Sequence, residues 1–429
     1  MTERTLGALQ VAALLVSASY GIGFLFGSGE HALRYGMAGA VYGVATGLGM
    51  LGMAAFAGRL WQAGRAVWDL FGDRCGERVR RLVALLSVVW MAGVLAAQLH
   101  GAVAVARLLG AGPWTAHAMA IALVLVASRF QLRAASWIFA ACLAMSAAVL
   151  FLALMRNGGL ALYAVALPEF VDALPSLGLA QMVTIGVGVG LLVCTGADYH
   201  QFVLAARGPG AAVRGCLLAG AVLLLLAFLP PAVVLSAIAQ PSWPWVTEAK
   251  QAVPLALALA VGDLSSAAGP VMLTMLGMAA LGSGAAVLRA MVSALQAAQV
   301  RHVPRSSWPM ATLALTVATA LTAAGWPIVD TMVSVNVVYI ASVGISLVGL
   351  LRHEAGQPVD EIWVIAAGCV GSVTVFAAGA LGGAVPNVEG VALLVGLASA
   401  AAVRMALQRA HWVPGYRTVR RHWGHRGRR

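Results

Sequence analysis

Charge is scarce in this chain. Only 10% of its 429 residues are Asp, Glu, Lys or Arg, where a soluble protein carries roughly a quarter. No stretch is long or polar enough to form a separate soluble domain. Cysteine is scarce as well. Cys75, Cys142, Cys194, Cys216 and Cys369 are scattered, mostly inside apolar runs and without metal-ligand spacing, so they read as small buried apolar residues. Nucleophile–base sets, metal-ligand clusters and phosphate-binding loops are missing, which speaks against an enzyme.

What is present is apolar: 61% of the residues, with a mean hydropathy of +0.90. Apolar runs of about 15 to 28 residues recur from end to end, and most are long enough to cross a bilayer of about 30 Å. Twelve are predicted. The first six are Leu6–Gly27, Met37–Ala57, Leu82–Leu109, Trp114–Ser128, Ala134–Met155 and Leu179–Ala197. The others are Cys216–Ala239, Val271–Ala298, Met310–Gly325, Ile328–Leu351, Ile362–Gly383 and Val391–Leu407. The fold class expected is an all-α polytopic membrane protein.

The net charge of +12 is distributed by side. With the N-terminus in the cytoplasm, one face receives Arg4, Arg59, Arg65, Arg74, Arg78, Arg80, Arg81, Arg129, Arg133, Arg207, Arg214, Arg301, Arg305, Arg352 and the basic tail. The other keeps only Arg34, Arg107, Arg156 and Lys250. That is the positive-inside pattern of a multi-pass protein of the cell (inner) membrane with both termini cytoplasmic. The tail, 411–429, is placed on anionic membrane lipid. Nucleic acid is not expected as a partner, because no fold or aromatic interleaving supports it. Leu6–Val16 followed by Ser17-Ala18-Ser19 has the outline of a cleavable signal. The charge-free stretch nevertheless runs on to Gly29, and its removal would leave eleven spans and upset the charge balance.

The runs divide into two sets of five, residues 6–155 and 179–351, which together make a ten-helix core (1–351). Residues 352–410 carry two additional helices. Five is odd, so the second set enters the membrane upside down relative to the first. This is the layout of inverted-repeat transporters, whose repeats each begin with a helix broken at the midplane. Both candidate positions are rich in glycine, which weakens helices and frees carbonyls. Ser17–Gly39 carries Gly21, Gly23, Gly27 and Gly29; Met182–Thr195 carries Gly186, Gly188 and Gly190. Between spans seven and eight, Val253–Val261 is predicted as an interfacial or re-entrant helix, either a lid or a plain connector.

Three segments carry a family resemblance. They are GFLFGSGEHALRYGMAG in span one, GADYHQFVLAAR (Gly196–Arg207) after span six, and AALGSGAA (Ala279–Ala286) in span eight. In that order they resemble the sodium:solute symporter family, of the amino acid–polyamine–cation superfamily. Asp198, Gln201, Leu204, Ala205, Ala206 and Arg207 match its second motif, where Phe202 replaces an arginine. The resemblance implies the five-plus-five inverted repeat of LeuT-type transporters, with discontinuous helices one and six. It also implies a secondary active transporter, a solute:cation symporter working by alternating access. Its Na+ would be held by the carbonyls of Ser17, Tyr20 and Ala280 and by the Ser283 hydroxyl. Gly284 stands where a second hydroxyl is expected. The alternatives are a proton-coupled amino-acid or nucleobase permease of the same fold, or a transporter-like sensor that moves nothing.

Polar residues inside spans are functional candidates by default. The substrate-facing set is Gly21, Gly23, Phe24, Gln98, Thr184, Gly186 and Gly188. Thr184 is equally read as satisfying freed backbone groups. Gln98 and His100 are two apart, roughly 200° around a helix, so only one can face a cavity. The gating set is Glu30, Asp198, Arg289 and Asp330. Glu30 is either a gate or solvated at the outer mouth. Arg289 guards the inner exit, pairs with Asp198, or snorkels to lipid. Asp330 gates or caps its helix. The aromatic wall of Tyr20, Phe24 and Phe26 tilts the solute away from sugars, toward a small organic acid or amino acid.

Overall fold

The computed structural model describes residues 4–243, 249–261, 268–298, 307–322, 328–351, 361–382 and 387–412. Among these, regular structure is helical apart from one isolated backbone bridge. Eight helices are long and apolar enough to cross a bilayer, a bent pair adds a ninth, and three shorter apolar helices accompany them. Together they occupy all twelve predicted runs.

Span 1 is broken into 1a (Ala8–Ser19) and 1b (Ile22–Tyr35). Gly7 opens 1a, its N–H donating to Gln10 Oε1 at 2.9 Å. Span 2 is Val41–Ala63, span 3 Glu77–Leu108, span 4 Pro113–Ala127 and span 5 Leu132–Arg156. Span 4 starts on proline at its first position, where the missing N–H costs nothing. Span 6 consists of 6a (Leu179–Thr195) and 6b (Ala197–Leu204). Span 7 runs Pro209–Ala227 and continues after Phe228 into Leu229–Ile238. Span 8 is Ala268–Gly277 followed by Ala279–Ala298. Spans 9 to 12 are Ser307–Thr322, Ile328–Leu351, Glu361–Gly382 and Val388–Trp412.

Among the elements not anticipated, one adjoins span 6. Ala166–Leu177 approaches span 6 and meets it at 115°. The corner is Gly178 at φ 73°, a backbone state that costs a residue with a Cβ about 1 kcal/mol or more. The predicted helix between spans 7 and 8 is present as Ala252–Val261, but it is buried rather than lying on the surface. Val253 packs directly on Gly29 of span 1b, and Asn157 donates to the Ala256 carbonyl at 3.4 Å. Trp245 and Asp263 lie outside the described residues.

Small residues allow the spans to approach closely, as expected where lipid gives no hydrophobic drive to association. A Cβ on Gly43 would meet Ala227 at 2.9 Å, one on Gly220 would meet Leu51 at 2.7 Å, and one on Gly49 would meet the Gly190 carbonyl at 3.0 Å. Spans 11 and 12 are anchored to span 10 by a polar cluster. Arg404 Nη1 pairs with Glu361 Oε1 at 3.2 Å, and Ser346 Oγ donates to Glu361 Oε2 at 2.6 Å.

On the arginine-rich side, the chain ahead of 1a is bonded to the end of 6b. Leu6 N–H donates to the Ala205 carbonyl (3.1 Å), and Arg207 N–H donates back to Leu6 (2.9 Å). Trp61 of span 2 joins them, its Nε1 donating to Ala206 at 2.6 Å, and Arg4 stacks over that indole at 4.2 Å.

Candidate solute and ion site

The break in span 1 falls where the glycines place it. Tyr20 N–H closes the last turn of 1a onto Val16 at 2.6 Å, Gly21 is fully extended (φ −84°, ψ −175°), and 1b begins at Ile22. No backbone N–H donates to the Ser17 or Tyr20 carbonyl across this gap among the described residues. The gap is tightly enclosed. A Cβ on Gly21 would collide with Gln98 of span 3 and with Ser283 of span 8. A Cβ on Gly23 would lie 2.7 Å from Met332 Sδ of span 10 and 3.3 Å from Gln98 Nε2. Gln98, Ser283 and the span 1 break therefore meet at one point. Ser283 Oγ is buried and has no hydrogen-bond partner among the described residues.

Further buried polar atoms of the neighbouring helices have no hydrogen-bond partner among the described residues. They are the Tyr20 hydroxyl, Trp90 Nε1, the Tyr339 hydroxyl and both amide atoms of Asn336. Trp90 and Gln98 share a face of span 3, while Met332, Asn336 and Tyr339 share a face of span 10, by helical spacing. The faces meet at both ends: Trp90 and Tyr339 rings lie 5.7 Å apart, and Gln98 and Met332 both lie against Gly23. Across from them Tyr20 and Phe24 stack at 5.1 Å. Buried polar groups are nearly always bonded, so a concentration of unbonded ones marks a place where something else binds. Sequence reasoning passed over Trp90 and Tyr339. A tryptophan in mid-span, away from the interfacial belts where membrane proteins concentrate it, was the available signal.

Several expectations are corrected. Span 6a is helical through Gly186, Gly188 and Gly190, and the interruption comes later, at Gly196 (φ −69°, ψ 121°). Gly186 and Gly190 border a groove shared with Val41, Ala45 and Gly49 of span 2; Gly190 lies close against Gly49, a Cβ on Gly186 would meet nothing within 4 Å, and neither interrupts the helix. Gly188 is buried with no atom within 4 Å of its would-be Cβ. Thr184 bonds back to the Ala180 carbonyl at 2.7 Å and abuts Gly390 of span 12, away from Gly21. Gly284 faces span 4, where a Cβ would lie 2.9 Å from Val124, and it is Gly282 that is pressed against Ser17. A side chain at 284 would therefore start against Val124 of span 4 rather than against Ser17. Gly284→Ser should give no gain in sodium affinity and lose about 1–3 kcal/mol of stability through overpacking. A sodium titration of the thermal unfolding midpoint checks this, and a lowered half-saturating concentration would refute it.

The charged candidates separate. Glu30 is buried and its Oε2 accepts the Ile328 N–H at 3.3 Å, so it caps span 10 from span 1b. That position favours a carboxylate through the helix dipole. His100 Nε2 donates to the Thr322 carbonyl at 2.7 Å, capping span 9. Arg289 bonds the Phe130 carbonyl at 3.0 Å and forms no ion pair with Asp198. Asp198 is buried at the start of 6b. The side chains of Asp330 and Ala280 lie outside the described residues. A cavity of about 870 Å³ lies between span 2, span 10 and 6b, with Arg59, Arg74, Cys194 and His200 in its wall.

No protein-family profile and no curated protein matches the sequence. Solved structures do. A Na+-coupled sialic acid symporter in a substrate-bound outward-open state aligns with a TM-score of 0.70 at 11% identity, over 95% of this chain and 90% of that one. MHP1, a nucleobase-cation-symport-1 family transporter, closed over bromovinylhydantoin, aligns at 0.61 and 14%, over 96% and 94%. A manganese transporter of Eremococcus coleocola aligns at 0.53 and 16%, over 95% and 96%. The chain has the fold of these proteins: a polytopic all-α membrane protein built on the five-plus-five inverted repeat with helices 1 and 6 interrupted.

Proposed function

We propose that this chain is a secondary active transporter, a symporter that couples entry of a small organic solute to a sodium ion by alternating access. The observation that carries the reading is the unbonded Ser283 Oγ beside an interrupted helix whose Ser17 and Tyr20 carbonyls lack backbone donors. Hard cations take oxygen ligands of this kind. The Ala280 carbonyl completes the set in the resembled family, and it belongs to this proposal. The likeness to a sialic acid symporter and a nucleobase-cation symporter supports the same class.

The solute is a small carboxylate, an organic acid or an amino acid. Free N–H groups at the start of 1b favour an anionic group. The Gln98 and Asn336 amides supply hydrogen bonds, and the Tyr20, Phe24, Trp90 and Tyr339 rings form apolar walls. The protein sits in the inner membrane with both termini and the arginine-rich face in the cytoplasm, and its basic tail rests on anionic lipid.

Uptake into proteoliposomes under a sodium gradient, a proton gradient or neither tests the class, with solutes first chosen by a thermal-shift screen. Sodium-driven accumulation is expected. A binding-competent preparation that moved no solute under any of these conditions would overturn the reading. Ser283→Ala should raise the half-saturating sodium concentration about tenfold, the worth of one good ligand at about 1.4 kcal/mol. An unchanged value would remove Ser283 from the site.

A further inference from the structure

Asp198 lies in the first turn of 6b, two residues after the break, and is 1% exposed. Its Oδ1 accepts the Tyr199 N–H at 3.0 Å and lies against Gly196; Oδ2 has no hydrogen-bond partner among the described residues. The titratable side chains close enough to share its field are Tyr42 of span 2, Tyr339 of span 10 and Tyr199 beside it. Cys194 of 6a and His200 of 6b flank it in sequence. Span 8 packs on 6b through Gln201, which donates to the Ala286 carbonyl at 3.0 Å; the arginine one turn further on, Arg289, is bonded to Phe130. Among the described residues no arginine or lysine pairs with Asp198.

An ionised carboxylate held in that setting costs several kcal/mol, and a buried group without a counter-charge neutralises instead. Two half-helix poles meet at this break and oppose one another there: the N-terminal end of 6b, on which Asp198 sits, favours the carboxylate, and the C-terminal carbonyls of 6a disfavour it. A metal ion would need several oxygens around it, yet Oδ2 is the one unbonded carboxylate oxygen here and its neighbours are phenols. A proton needs only Oδ2. The 870 Å³ cavity reaches Cys194 and His200, the residues on either side of Asp198 in sequence, and stops short of Asp198 itself. His200 Nε2 lies 2.9 Å from the Cys194 carbonyl, which only accepts, so Nε2 carries the hydrogen. Nδ1, without a partner among the described residues, is then a base beside the cavity wall.

We propose that Asp198 is a proton-binding site separate from the sodium site, neutral while the span 6 break is closed. It releases its proton to water when 6b is exposed toward the arginine-rich side. The proton passes from Oδ2 to water and returns by the same route, with no other bond made or broken. The part played in the transport cycle rests on the transporter reading; the protonation does not.

Infrared spectra of the full chain in lipid at neutral pH test the protonation without any solute. The C=O stretch of a protonated carboxyl is expected in the wild type and missing from Asp198→Asn. Equal bands in the two proteins would show Asp198 ionised and overturn the site. Should the asparagine variant not fold, Asp198→Glu keeps the carboxyl and must shift the band; an unshifted band counts against the assignment. Replacing choline chloride by sodium chloride should leave the band in place, and its loss would assign a metal ion to Asp198 instead. In proteoliposomes, wild-type uptake should fall by up to about tenfold per pH unit once the site titrates, and Asp198→Asn should be flat across the same range. A pH profile equal to wild type would remove Asp198 from the cycle. Absence of uptake in both proteins overturns the transporter reading and leaves the infrared result standing.

Discussion

Gly21→Ala is expected to abolish the stabilisation of the protein by sodium, while Gly188→Ala, in another glycine-rich span, leaves it intact. The methyl on Gly21 has nowhere to go. It would overlap Gln98 Oε1 and stand 2.5 Å from Ser283 Cβ and 2.7 Å from Ser283 Oγ. None of these is the far end of a long flexible chain except the Gln98 amide, so span 8 must retreat or the break must reshape. Overpacking of this kind costs about 1–3 kcal/mol, and it is applied to the oxygen assigned to the ion. At Gly188 a Cβ meets nothing within 4 Å, and alanine is the better helix former by about 1 kcal/mol. Thermal unfolding in detergent, with sodium exchanged for choline, checks both variants. A wild-type sodium response in Gly21→Ala would show that the ion does not depend on this junction.

Arg404→Met should cost about 3–5 kcal/mol of stability, the usual result when one partner leaves a buried ion pair. Glu361 is 7% exposed and holds Arg404 at 3.2 Å and Ser346 at 2.6 Å. Removing the guanidinium takes the Arg404 charge away from a buried carboxylate where spans 10, 11 and 12 meet. Arg404→Met combined with Glu361→Gln should recover most of the loss, because no buried charge then remains unpaired. Unfolding midpoints of the single and double variants decide it. Equal midpoints for Arg404→Met and the wild type would show the pair to be solvated.

The twelve spans were legible because bilayer thickness imposes a length on apolar runs, and that length survives in the sequence. The break in span 1 was legible for a related reason: Gly21 and Gly23 lie where no lipid-facing helix needs them. Span 6 misled because glycine has two uses at membrane depth. Gly190 lets span 2 approach at Gly49, whereas Gly196 interrupts the helix, and composition alone does not distinguish the two. Span 8 misled through phase. A motif fixes the order Gly282, Ser283, Gly284, but consecutive residues point about 100° apart, and which of them faces Ser17 and which faces Val124 is set by packing that the motif does not encode. Asn336 and Gln98 stood out as amides in apolar runs. That Trp90 and Tyr339 join them depends on two helices distant in sequence, which no local pattern encodes.

The bridge between Leu6 and the end of 6b has a mechanical consequence. Spans 1a and 6b come from different halves of the chain, yet two backbone hydrogen bonds and the Trp61 indole fasten their ends on the arginine-rich side to each other and to span 2. They behave as two blades riveted at the tip. Under the alternating access proposed above, neither would swing without carrying the other, so an opening on that face would move the Ser17–Tyr20 carbonyls and Asp198 together.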